Sequence, residues 1–244
     1  MTGDPQTGGL GQVELSLMDP QPSREQILAV VGHARQEGIG AVWVPSTSFP
    51  LRGTGGEGEP SLCTVAGYPT GQHHVLVKAS EAHMAVTHGA DEVTVVLDPS
   101  HVFGGLDGTG DPNALISEIV TLREAVPYPA VLRVAVGTVR GPGQTQTGER
   151  VPAAVLQTVA RAAVTAGADV VVGPSDDTVG ESSTASGVEE TVRILAEATE
   201  GSPVKVMSGR VLSFDEPDAL AAVEQLTAAG AHRVVLDAGS LTSD

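Results

Sequence analysis

Eight short apolar runs, each rich in β-branched residues, recur along this chain with helical segments between most of them. They are VELSL (13–17), AVWV (41–44), LCTVA (62–66), VTVVL (93–97), AVLRVAV (130–136), DVVVG (169–173), PVKVM (203–207) and RVVLD (233–237). Each is too short for a helix, and their valine content suits strands buried on both faces. Apolar spacing near 3.6 predicts helices beginning at Ser23, His74, Asp111, Val151, Val188 and Glu216. Ser23 with Gln26 forms a capping pattern, Pro112 and Pro217 sit at first-turn positions, and Gly38, Gly89, Gly167 and Gly230 follow helices where a left-handed stop is needed. Strand followed by helix at this spacing implies a parallel sheet. Eight such strands without a break predict α/β architecture of the closed kind, a single (β/α)8 TIM barrel over residues 1–244, with 1–12 as a flexible lead-in.

The chain's 244 residues agree with the roughly 250 that one such barrel needs. Aromatic residues make up only 2% against 41% hydrophobic residues, so the core is expected to be aliphatic. No apolar run approaches the roughly 18 residues of a membrane span, and the start MTGDPQTGG is too polar for a signal peptide. A soluble cytoplasmic protein is the expectation. A net charge of -17 repels nucleic acid and anionic membranes, so neither is expected as a partner. The single cysteine, Cys63, rules out an internal disulfide and any multi-thiolate metal site, and its apolar surroundings predict a buried structural thiol.

Three polar, glycine-containing stretches, 52–60, 138–150 and 176–187, read as mobile connections on the C-terminal face, where barrels of this kind build their sites. The second of them lacks the GK[ST] ending of a phosphate loop. Asp98, Asp176 and Asp237 fall at or just beyond strand ends on that face. Three converging carboxylates suit Mg²⁺ or acid–base work, but strand ends commonly carry polar residues, and no metal or cofactor is assigned. His73 and His74 open a helix and His101 follows the fourth run. Their spacing matches no zinc pattern, so solvated or capping roles are expected. Only two lysines exist. Lys78 has Glu81 at i+3, which predicts an exposed ion pair. Lys205 lies on a strand, either as a desolvated nucleophile or, the preferred reading, as the charged partner of Asp237 or Asp176.

CTVAGYPTG (63–71), then Lys78–Glu81–Ala82, GADEVTVVLD (89–98), LRVAV (132–136), GADVVVGPS (167–175) and SGRVLSFDEPDALAAVEQLTAAGAHRV (208–234) stand in one order and spacing. In that arrangement the chain resembles the deoxyribose-phosphate aldolase family from about residue 13 onward, and VPSTSFPL (44–51) looks like the family's second-strand exit. The resemblance implies a class I aldolase that splits 2-deoxyribose 5-phosphate into acetaldehyde and glyceraldehyde 3-phosphate. Such chemistry needs a neutral lysine amine for a Schiff base, an aspartate–lysine proton relay and a phosphate cradle on the last two connections.

Carried over position by position, the resemblance places the Schiff-base lysine on Val172 and the relay aspartate on Thr94. The fifth-strand lysine falls on Arg133, which stays charged and cannot shuttle protons. The seventh-strand lysine falls on Lys205 with one residue inserted before Ser208, or on Val206 without it; both alignments stand. Asp19 replaces a first-strand lysine. Of the implied phosphate cradle, Ser208 and Gly209 remain, beside a bulky Arg210 that still suits an anion. Asp237 brings a carboxylate toward the phosphate position, and Asp176 and Asp177 add more negative charge. Two like charges about 4 Å apart cost on the order of 4 kcal/mol at an effective dielectric of 20.

Two readings follow. One is a homologue without the family's imine chemistry, a small-molecule-binding, regulatory or partner protein, with a homodimer or an active aldolase as its associate. The other is an enzyme with replaced chemistry, a lyase for an unphosphorylated carbonyl compound working through Asp98, Lys205, Ser208 and Asp237 in the same barrel mouth. The first is preferred, since nucleophile, base and phosphate turn all change together.

Overall fold

The valine-rich runs pair in parallel, each with the next and the last with the first, so the sheet has no free edge. Its strands are β1 (Val13–Ser16), β2 (Ala41–Trp43), β3 (Ser61–Ala66), β4 (Glu92–Val96), β5 (Val131–Ala135), β6 (Val170–Val172), β7 (Lys205–Ser213) and β8 (Arg233–Asp237). Around them lie α1 (Arg24–Glu37), α2 (Val75–Thr87), a single turn α3 (Pro99–Val102), α4 (Pro112–Ala125), α5 (Ala153–Ala166), α6 (Ala185–Thr199) and α7 (Ala219–Ala228). The expected (β/α)8 barrel is therefore present. The computed structural model describes residues 9–18, 22–51, 58–105, 107–136, 151–174, 185–238 and 241, without the side chains of 185, 186, 210 and 211. Most of the lead-in and most of the three glycine-containing connections lie outside the described residues, as do Asp19, Asp176 and Asp177. No helix among the described residues is long and apolar enough to cross a membrane.

Local signals fix the helix ends. The Ser23 hydroxyl accepts from the Gln26 N–H (3.1 Å), while Gln26 Oε1 accepts from the Ser23 N–H (2.8 Å). Asp111 Oδ1 accepts from the N–H groups of Asn113 and Ala114 at the start of α4. Gly38 and Gly167 end α1 and α5 in the left-handed region that favours glycine (φ 72° and 80°). Two boundaries differ from expectation by three residues: α6 begins at Ala185, not Val188, and α7 begins at Ala219, not Glu216. Glu216 Oε1 instead accepts from the Ser213 N–H (3.2 Å), and the Ala219 N–H closes a turn onto the Glu216 carbonyl (3.0 Å).

Alternation along each strand sends one set of side chains outward and the other inward. The outward set, Leu132, Val134, Val171 and Leu236 among them, packs against the apolar faces of the surrounding helices in one continuous cluster. The inward set fills the barrel in rows across neighbouring strands. Val96, Ala135, Val172 and Met207 are register partners from β4 to β7. Two residues nearer the strand starts, Thr94, Arg133, Val170 and Lys205 form the next row down.

Arg133, only 1% exposed, has to be neutralised where it stands. Its Nη1 donates to both oxygens of Glu14 (2.9 and 2.8 Å), its Nε and Nη2 donate to Glu92 Oε2, with the Nε contact at 2.7 Å, and Nη2 also reaches Cys63 Sγ (3.0 Å). Arg233 Nη1 joins from β8, 3.2 Å from Glu14 and 3.0 Å from Glu92. Two guanidinium groups thus balance two carboxylates inside the barrel. Burial pushes Glu92 upward, but Arg133 and Arg233, by charge and hydrogen bonds, outweigh it and hold the carboxyl at about 2. Burial also pushes the Cys63 thiol well up despite Arg133, in keeping with the structural role expected of it.

Two outcomes test this inner cluster. Arg133→Met strands Glu14 and Glu92 without their main counter-charge and is expected to cost about 3–5 kcal/mol in urea unfolding; a cost below about 1 kcal/mol would contradict the arrangement. Glu92 ionises at about 2 when folded against an ordinary value of 4.5. Its contribution, on the order of 3 kcal/mol, is therefore fully present above pH 4.5 and is lost as pH falls through about 2. Glu92→Gln should flatten that part of the stability–pH curve relative to the parent, and parallel curves would exclude the assignment.

Candidate functional site

The upper interior, between the ionic cluster and the C-terminal mouth, is where the resemblance locates the family's chemistry. Here it is apolar. Val172 is 2% exposed and Met207 1%, and they pack with Trp43, Val65, Val96 and Ala135 in one interior cluster. Two polar atoms of the barrel interior, Trp43 Nε1 and Thr94 Oγ1, are buried without a hydrogen-bond partner among the described residues. Thr94 and Arg133 are register neighbours on β4 and β5, one row below Val172. The Arg133 side chain is committed to the carboxylates beneath.

Neither lysine reaches this region. Lys205 opens β7 and lies two residues before Met207, which at about 3.3 Å per residue is roughly 6.6 Å nearer the N-terminal face. It is exposed, and its Nζ lies 3.2 Å from His232 Nε2. That placement takes it away from the C-terminal mouth as a nucleophile; no ion pair joins it to Asp237 among the described residues, and Asp176 lies outside them. The seventh-strand residue that enters the apolar interior row is Met207, not Lys205 or Val206.

Lys78 corrects a second expectation. It is 1% exposed rather than solvated, and its partner is Glu118 of α4 rather than Glu81. The ammonium donates to the carbonyls of Gly71 (3.0 Å) and Val96 (3.0 Å) and to Glu118 Oε1, so all three of its hydrogens are engaged. Glu118 Oε2 in turn lies 2.8 Å from His101 Nδ1 and accepts from the Asp98 N–H (3.3 Å). Glu81 accepts from the Ser46 hydroxyl (2.8 Å) and the Gly67 N–H (2.9 Å). This network ties the β3–α2 connection to the end of β4. Of the histidines, His74 caps α2, its Nδ1 accepting from the Leu76 N–H (3.2 Å), whereas His101 is a hydrogen-bond partner of Glu118 and not a cap.

The remaining candidates divide by strand end. Asp98 follows β4 and caps α3: Oδ1 accepts from both the N–H and the hydroxyl of Ser100, each at 2.8 Å. Burial raises its carboxyl, but these hydrogen bonds outweigh that and hold it below the usual range, as a carboxylate. Ser208 is buried at an irregularity between β7 and β8, where its hydroxyl accepts from the Val235 N–H (3.1 Å). Gly209 is buried beside it, while the side chain of Arg210 lies outside the described residues. Asp237 ends β8, half-buried, in register with Ser16 and Ser213. Asp98, Gly209 and Asp237 thus share the C-terminal side of the barrel. Among the described residues no group of three or more His, Cys, Asp or Glu side chains is placed to hold a metal ion.

No family model matches the chain. It is 33% identical over 222 residues to deoxyribose-phosphate aldolase of Corynebacterium glutamicum, covering 91% of this chain and 89% of that protein. It is 32% identical over 233 residues to deoxyribose-phosphate aldolase of Nocardia farcinica, covering 96% and 92%. The like-named Corynebacterium jeikeium protein is 38% identical over 165 residues, which span 60% of its length. Among solved structures, deoxyribose phosphate aldolase of Aeropyrum pernix superposes with a TM-score of 0.70 at 23% identity, covering 96% of this chain and 88% of that one. The aldolase QR15 superposes with 0.71 at 22% identity, covering 96% and 93%.

The two lysines are expected to separate sharply on replacement. Lys78→Met leaves the buried Glu118 without its lysine counter-charge and should cost about 3–5 kcal/mol. Lys205→Met, at an exposed strand start, should stay within about 0.5 kcal/mol of the parent. Equal effects in urea unfolding would contradict the placement of both amines.

Proposed function

This chain belongs to the deoxyribose-phosphate aldolase family, and from that premise we propose that it has left the family's imine chemistry and serves as a small-molecule-binding or partner protein on the aldolase barrel. One observation carries the reading: an apolar row, Val96, Ala135, Val172 and Met207, occupies the interior where the resemblance expects a reactive amine. An imine needs an unprotonated amine within reach of the carbonyl carbon. The chain has two lysines; one is locked in a buried ion pair outside the barrel, and the other stands at the opposite mouth. Thr94 supplies no carboxylate for proton relay, and Arg133 is held as a permanent cation between Glu14 and Glu92.

An enzyme with replaced chemistry draws less support, because its four residues do not converge. Lys205 is at the N-terminal face, the Ser208 hydroxyl is engaged by β8, and Asp98 is turned to Ser100. The ligand of the binding role belongs at the C-terminal face, beside Asp98, Gly209 and Asp237, with a second copy or an active aldolase as the associate in a regulatory role.

The test is turnover of 2-deoxyribose 5-phosphate, followed through glyceraldehyde 3-phosphate in a coupled assay. The purified chain is expected to give no rate above the uncatalysed background. A turnover number within the usual enzymatic span of about 1–10³ s⁻¹, unaffected by further purification, would overturn the reading.

A further inference from the structure

The N-terminal mouth of the barrel holds a cavity of about 240 Å³, lined by Glu92, Asp169, Lys205, Met207, His232 and Arg233 among others. Its charges do not cancel. Glu14 and Glu92 are balanced by Arg133 and Arg233, and Asp169 is held by Arg123 (2.5 Å) and the Leu132 N–H (2.8 Å). Lys205 is left over. Among the described residues its ammonium has no carboxylate within ion-pair distance, only the ring nitrogen of His232 at 3.2 Å. Two further ammonium hydrogens are uncommitted. Arg233 engages its carboxylates through Nη1, leaving Nε and Nη2 without a hydrogen bond among the described residues. Burial, and then the charges of Lys205 and Arg233, press His232 below its usual range.

We propose that this N-terminal mouth is a second binding site, taking a compact oxyanion, above all a phosphate group, between Lys205, His232 and Arg233. The cavity is smaller than the roughly 300–1,000 Å³ of drug-sized pockets, so the occupant is inorganic phosphate or a small phosphate ester. An ammonium and a guanidinium with free donors offer charge-assisted hydrogen bonds to such a group. On a chain of net charge -17, a local cationic mouth concentrates anions that the rest of the surface repels. The site is independent of the C-terminal face, and Met207 is the wall it shares with the apolar row containing Val172.

Titration of the isotope-labelled protein with inorganic phosphate at constant ionic strength tests this by amide shifts. Saturable shifts at residues 204–207 and 231–234 are expected at millimolar phosphate. Affinity should fall roughly tenfold in Lys205→Gln and persist within a few-fold in Lys205→Arg. Acetate at the same ionic strength should bind more weakly than phosphate. Absence of saturable shifts at these residues, or equal affinity in the parent and Lys205→Gln, would overturn the proposal. If Lys205→Gln fails to fold, its role passes to His232→Gln, with the same loss expected.

Discussion

A guanidinium sealed inside a barrel dictates much of what surrounds it. Arg133 needs two carboxylates at hydrogen-bond distance, and Glu14 and Glu92 supply them from β1 and β4, with Arg233 completing the balance from β8. Removing any one member leaves an uncompensated buried charge. The lower interior is therefore filled by this cluster, and what remains above it is closed by valine, alanine, methionine and tryptophan. Those two layers give the barrel a continuous, largely satisfied inside, with Trp43 Nε1 and Thr94 Oγ1 as its buried polar atoms without partners among the described residues.

The family scaffold is retained in this chain. Strand order, helix stops and the Lys78–Glu118 tie between the β3–α2 connection and the end of β4 are all in place. The amine has no counterpart in the apolar row. Family membership accordingly fixes the fold and the ancestry, while activity depends on the side chains at the site. On the reading proposed above those side chains serve binding, and the proposed cationic N-terminal mouth is a second place for it.

Periodicity made the barrel legible, because a closed parallel sheet leaves an even rhythm of apolar runs and glycine stops. It also made the facing of side chains legible: Glu14, Glu92 and Arg233 share inward parity with Arg133, and charges at such positions in apolar runs were the signal that sequence reasoning passed over. Parity does not give height. Lys205 has the inward parity of Met207 but begins a strand that extends to Ser213, farther than the run PVKVM suggested, and so sits at the opposite mouth. Lys78 misled for a different reason. Its i+3 spacing to Glu81 satisfied a local rule, whereas its real partner is 40 residues away on α4 and is visible only once the helices pack. Asp176 and the side chain of Arg210 lie outside the described residues, so their part in the C-terminal face rests on sequence alone.

Borohydride reduction in the presence of acetaldehyde or 2-deoxyribose 5-phosphate, read by intact mass and peptide mapping, probes the absence of a reactive barrel amine most directly. The expected result is no stoichiometric reduced adduct on Lys78 or Lys205. A single saturable adduct on either lysine, formed in the folded protein and lost on unfolding, would contradict it.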